Sequence, residues 1–156
     1  MPPEKRQPPP VAPATVLVVD DNKDTVAILT RLLSRNGLKA LSAYSGRECL
    51  KIAQSRTIDV VLLDVMMPEM DGLEVCKELK QLSPSLPVIL LTAKDDMATR
   101  AAGMALGVSE FIAKPVNNHK DLLARIHTQI RVRQWEKETD RTSATIEPTE
   151  ASSAKK

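Results

Sequence analysis

Four short apolar runs organise the chain, and each ends in a polar residue. They read VLVVDD (Val16 to Asp21), VVLLDVMMPEMDG (Val60 to Gly72), VILLTA (Val88 to Ala93) and EFIAKP (Glu110 to Pro115). Runs of Val, Ile and Leu this short have the pattern of buried parallel strands. Between them the apolar positions return at helical spacing, as in Val26, Leu29, Leu32 and Leu33, which share one helix face. The pattern predicts strands at Thr15 to Val19, about Lys39 to Ala43, Asp59 to Leu63, Val88 to Leu91 and Glu110 to Ile112. Helices are predicted from the DDNKD segment to the Asn36-Gly37 stop, over Ser45 to Gln54, from Gly72 to about Leu82, from about Asp96 to Leu106, and from near Asn118 to as far as Glu138. Five alternating βα units imply α/β architecture: a doubly wound five-stranded parallel sheet with helices on both faces and right-handed crossovers.

Length and composition trim the range of functions. The 156 residues suffice for one domain with tails. Residues 1–13 carry six prolines and read as a disordered Pro-rich arm; 138–156 are polar and read as a disordered tail; 14–137 form the domain. A net charge of +2 implies no general polyanion-binding surface. Tyr44, Phe111 and Trp135 are the only aromatics, too few for a base-stacking platform. No apolar run approaches the roughly 20 residues of a membrane span, and the N-terminus lacks the apolar core of a secretory signal, so the expected location is cytoplasmic. Cys49 and Cys76 read as reduced, partly buried thiols, and His119 and His127 as structural or surface residues of the last helix.

In an open parallel sheet the strand C-termini share one edge, where ligands bind. Asp20, Asp21, Asp64, Thr92 and Lys114 all fall at strand exits, so they are expected to converge. Taken singly each is weak: the Asp20-Asp21 pair could be a helix cap, and Lys114-Pro115 a strand terminator. Asp71-Gly72 reads as turn chemistry outside the site. Together, three carboxylates at one edge call for a divalent cation, and magnesium favours such hard oxygen ligands. A hydroxyl and an ammonium are redundant for a plain metal site. They make sense if a phosphoryl group is oriented and neutralised there, with one carboxylate as nucleophile.

This set resembles the receiver domain of bacterial two-component response regulators: DD after strand one, D-x-M-M-P-x-M-D-G after strand three, T-A after strand four and K-P after strand five, in order, within about residues 15 to 136. The resemblance contributes to the expected flavodoxin-like strand order 2-1-3-4-5, which chemotaxis receivers exemplify. It implies that Asp64 is the phosphoacceptor. Asp21 and Asp64 would ligate Mg2+ directly, Asp20 mainly through water, and the Met66 backbone carbonyl would complete the protein's share. Thr92 and Lys114 would contact the phosphoryl group, with the Ala93 amide nearby. The bond before Pro115 is usually cis in the family. Phe111 stands where the family has a switch aromatic, often Tyr, and Thr92 would move with it; the alternative for Phe111 is core packing.

By the same resemblance, the phosphoryl donor is a sensor histidine kinase or phosphotransfer protein, contacted through helix one and the loop after strand five. The output is a downstream protein contact, or a phosphorylation-linked homodimer, through helix four, strand five and helix five. The chain is expected to be no enzyme beyond phosphorylating and dephosphorylating its own aspartate. A stand-alone receiver without a DNA-binding module is expected, the alternative being a receiver fragment of a longer regulator or hybrid kinase. The end of helix five, with Arg125, Arg131, Arg133 and Trp135, reads as a solvated basic face. Two rivals fail on the first loop. A haloacid-dehalogenase-type phosphatase needs a second Asp two residues after its nucleophile, but Asn22 follows Asp20-Asp21. A flavin-phosphate loop would not be acidic DDNKD. No segment remains for a helix-turn-helix, so no direct nucleic-acid contact is expected.

Overall fold

Strand and helix alternate through the computed structural model, which describes residues 13–93 and 96–135. The order is β1 (Thr15–Val19), α1 (Lys23–Arg35), β2 (Lys39–Ala43), α2 (Gly46–Ser55), β3 (Val60–Asp64), α3 (Gly72–Leu82), β4 (Val88–Ala93), α4 (Met97–Leu106) and β5 (Glu110–Lys114). A fifth helix, α5, covers residues 119–135. All strand pairings are parallel, and the sheet order is β2-β1-β3-β4-β5. The expected fold and strand order are thus observed. Three strands run further than expected: β3 reaches Asp64, β4 reaches Ala93 and β5 reaches Lys114, because their exit residues still pair, Asp64 with Leu91, Thr92 with Ala113 and Ala93 with Lys114. The proposed arm before residue 13 and the helix beyond 135 lie outside the described residues.

The period of two along each strand divides the core. Val16, Val18, Val60, Leu62, Ile89 and Leu91 face one side, where they meet Val26, Leu29 and Leu33 of α1 and Leu122, Ile126 and Ile130 of α5. Leu17, Val19, Val61, Leu63, Val88 and Leu90 face the other, against Cys49 of α2 and Val75, Cys76 and Leu79 of α3. Strands buried on both faces must be apolar at every position, which is why these runs show no alternation. Both cysteines are fully buried, deeper than expected, because each lies on the sheet-facing side of its helix. Burial pushes the Cys49 thiol up to about 12.

Helix ends are set locally. Asn22 caps α1, its side chain accepting from the amides of Asp24 (2.9 Å) and Thr25 (3.1 Å). At the other end Gly37 takes φ +79°, and the Leu38 amide returns to the Leu33 carbonyl at 3.1 Å, an end that favours glycine. Asn22→Ala should cost about 1 kcal/mol, seen as a lower urea midpoint with an unchanged m-value.

The end of α5 matches the expected solvated face at Arg131 and Trp135, which are exposed, and departs from it at Arg125 and Arg133. Arg125 is tied to Glu110 at 2.7 Å and Asp121 at 3.0 Å. Arg133 is only 8% exposed. It continues the buried stripe of Leu122, Ile126 and Ile130, so helical spacing turns it inward.

Candidate functional site

Parallel pairing brings the exits of β1, β3, β4 and β5 to one edge, and the residues expected there are there. Asp20, Asp64 and Thr92 are each about 1% exposed, whereas Asp21 is exposed at the rim. Carboxylate oxygens of Asp20, Asp21 and Asp64 lie within 4.8 Å of one another. Lys114 Nζ, from β5, donates to Asp64 Oδ1 at 2.9 Å and stands 3.7 Å from Asp20 Oδ2. The Lys114-Pro115 bond is cis.

The electrostatics follow from burial. Taking the Asp64 carboxyl out of water pushes its pKa above the ordinary 3.8; the Lys114 hydrogen bond pulls back, the Asp20 charge adds to the rise, and the Met66 backbone amide lowers it slightly. Partial burial of Lys114 acts to lower its own value, but the hydrogen bond and charge of Asp64, with help from Asp20, raise it overall. Lys114 is therefore a fixed cation, and one ammonium faces two buried carboxylates.

Among the described residues two buried side-chain oxygens have no hydrogen-bond partner: Asp20 Oδ2, which Lys114 Nζ approaches only to 3.7 Å, and Thr92 Oγ1. A buried polar group without a partner is costly. Three hard oxygen donors at one spot, one of them orphaned, fit a small divalent cation, and the Thr92 hydroxyl at the same edge fits a further oxyanion.

Two supports of the site were not apparent from sequence, the bond from Asn22 to Asp20 and the close approach of Gly72 to Asp64. Asn22 donates its amide to Asp20 Oδ1 at 2.9 Å, so the cap of α1 also orients Asp20. Asp71 is the N-cap of α3, accepting from the Glu74 amide at 3.0 Å. Its neighbour Gly72 lies against β3: a Cβ there would meet the Asp64 carbonyl oxygen at 2.6 Å and Val65 Cα at 2.7 Å. The Asp-Gly pair read as a turn, and nothing in the sequence marked its closeness to Asp64. Phe111 is half-buried, packed on the core and on Gly103 of α4, with the Arg100 guanidinium 5.6 Å from its ring centre. Ala93 is exposed beside Lys114, and Met66 is 74% exposed in the loop after β3.

Comparison with known proteins agrees with this fold. Residues 16–127 match the response regulator receiver domain model. The chain is 42% identical over 119 residues to the response regulator MprA of Mycolicibacterium vanbaalenii, covering 76% of this chain and 51% of that protein. It is 38% identical over 116 residues to the alkaline phosphatase synthesis transcriptional regulatory protein PhoP of Bacillus subtilis, covering 74% and 48%. The chain thus spans about half the length of these curated relatives. Among solved structures, the chemotaxis protein CheY4 of Vibrio cholerae superposes with a TM-score of 0.71 at 32% identity, covering 75% of this chain and 98% of that one. The signal receiver domain of an HD domain-containing protein from Pseudomonas fluorescens Pf-5 gives 0.78 at 25% identity, covering 85% and 98%. The chain belongs to the response regulator receiver family of two-component signalling.

Proposed function

We propose that the domain accepts a phosphoryl group on Asp64 from a phosphohistidine of a sensor histidine kinase or phosphotransfer protein. The observation that carries this reading is the buried Asp64 carboxylate, held by Lys114 at 2.9 Å beside Asp20 and Asp21. A carboxylate oxygen of Asp64 attacks phosphorus; the new O–P bond forms as the N–P bond breaks, and the electron pair leaves on the imidazole nitrogen. The product is an aspartyl phosphate. Water later attacks it, returning the carboxylate and inorganic phosphate.

The chain's residues act by position and charge. Lys114 holds Asp64 in one orientation and offers its charge to the incoming phosphoryl oxygens. Thr92 supplies a hydroxyl donor that is otherwise unpartnered, with the Ala93 amide nearby. Asp20, Asp21, Asp64 and the Met66 backbone carbonyl are the groups that would hold Mg2+, which when bound offsets their charge and that of the phosphoryl oxygens. Lys114→Met should lower the phosphorylation rate about a hundredfold, the scale of losing one preorganised electrostatic partner. Single-turnover assays with acetyl phosphate check this.

The switch proposed is a shift of a two-state equilibrium in which Thr92 and Phe111 move together and alter the α4, β5 and α5 face. That face would contact a downstream protein or a second copy of the chain. Kinase contact is assigned to α1 and the loop after β5. As an acceptor that resets itself, the domain is a switch and not an enzyme acting on other substrates. A cytoplasmic setting belongs to the same proposal; no described helix is long and apolar enough to cross a membrane. Two outputs suit such a receiver: switched protein contact by the domain itself, and control of an attached module as part of a longer regulator. The second is supported by the greater length of the relatives, one of which is named a transcriptional regulator.

Intact-mass spectrometry after incubation with acetyl phosphate and magnesium tests the reading. One phosphoryl adduct that needs magnesium, mapped to Asp64 by borohydride reduction and peptide sequencing, is expected. No adduct, together with no binding of berylliofluoride, would reject it.

A further inference from the structure

The end of the sheet opposite Asp64 holds a polar cavity of about 320 Å³, between the loops that precede β3 and β4 and the end of α5. Its walls include Arg56, Thr57, Ser83 and Arg133 together with the apolar side chains of Leu79 and Leu86. Arg133 is the unusual member. It is more than nine-tenths buried, yet it forms no ion pair among the described residues. Its Nη1 donates to Ser85 Oγ at 2.7 Å and its Nη2 to the Ile58 carbonyl at 3.4 Å, while Nε has no partner. A buried cation left without an anion is costly.

Among the described residues no Asp or Glu lines this cavity, whereas a second arginine, Arg56, and the hydroxyl residues Thr57 and Ser83 do. Two positive groups and hydroxyl donors match the double charge and several oxygens of a phosphate better than the single charge of a carboxylate. The leucine walls leave room for a small organic body.

We propose that this cavity is an anion site that takes the phosphate group of a small phosphorylated molecule, with Arg133 and Arg56 as its counter-ions. The site is separate from Asp64, and ligand bound there would tie the end of α5 to the loops before β3 and β4.

The test is an amide chemical-shift titration of the full chain with inorganic phosphate, free of magnesium and at constant ionic strength. A Lys114→Ala variant is run in parallel to silence the Asp64 end. Saturable shifts at Thr57, Ile58 and Ser83 that persist in Lys114→Ala are expected. Arg133→Gln should abolish them, and Arg56→Ala should weaken binding about threefold or more, the scale of one exposed charge-assisted contact. Arg56 is exposed, so its variant decides the matter if Arg133→Gln does not fold. Absence of saturable shifts, their loss in Lys114→Ala, retention of full affinity in Arg56→Ala, or an equal response to acetate would each overturn the proposal.

Discussion

Asp64→Asn should abolish the phosphoryl adduct completely and, in metal-free buffer, make the domain more stable at neutral pH. The first effect follows from chemistry: an amide oxygen is too poor a nucleophile to form the mixed anhydride, and the other buried carboxylate, Asp20, stands 3.7 Å from Lys114 against 2.9 Å for Asp64. The second follows from burial. The Asp64 carboxyl titrates above its ordinary 3.8 because it is desolvated, and the Lys114 hydrogen bond does not fully compensate. A group with a raised folded pKa favours the folded state fully below its unfolded value and loses that contribution as pH rises through the folded value. At neutral pH the ionised wild type therefore carries a penalty that asparagine removes, about 1 kcal/mol or more. The gap should close as pH falls below 3.8, where Asp64 is protonated in both states. Urea melts of both proteins across this range, with a chelator present, measure it. A variant less stable than its parent at pH 7 would show that the Lys114 contact outweighs desolvation. Magnesium should then stabilise the wild type by mass action more than the variant.

Gly72→Val should destabilise the domain by about 3 kcal/mol and impair phosphorylation of whatever remains folded. The clash is with backbone, not with the end of a flexible side chain. Any Cβ at position 72 would sit 2.6 Å from the carbonyl oxygen of Asp64 and 2.7 Å from Val65 Cα. Relief requires α3 to move off the sheet or the end of β3 to shift. The first opens the layer formed by Val75, Cys76 and Leu79, and the second displaces Asp64 itself. Even Gly72→Ala should show a reduced form of both effects. Chemical denaturation with acetyl phosphate labelling at a temperature where the variant is folded separates the two. Unchanged stability would mean that the first turn of α3 yields more easily than the contact distances suggest.

The same residue shows where sequence reading stops. The Asp-Gly pair at 71 and 72 has the composition of a turn, and a turn it is, with Asp71 capping α3. That glycine is needed because a strand end comes within van der Waals distance is a fact about two elements. Arg133 is a similar case. As one of several basic residues near a helix end it reads as solvated, yet its spacing from Ile130, Ile126 and Leu122 places it on the buried stripe. Whether that stripe continues to a core or to a cavity depends on what the loops before β3 and β4 do.

What the sequence determined by itself was the alternation of elements and the polar residues at their exits. Buried parallel strands must be apolar on both faces, so their runs are legible, and the first residues that break those runs mark the functional edge. Helix starts at Asn22 and Asp71 and the stop at Gly37 were also local, because capping bonds span only a few residues. Only the tertiary structure decided how charge is balanced. The ammonium that neutralises Asp64 comes from Lys114, fifty positions away. Asp20 is oriented by Asn22, and its second oxygen accepts no hydrogen bond and meets only the Lys114 charge at 3.7 Å. A guanidinium at the far end, that of Arg133, is buried without a carboxylate partner among the described residues. Burial and charge pairing are set by which surfaces meet, and no single segment carries that information.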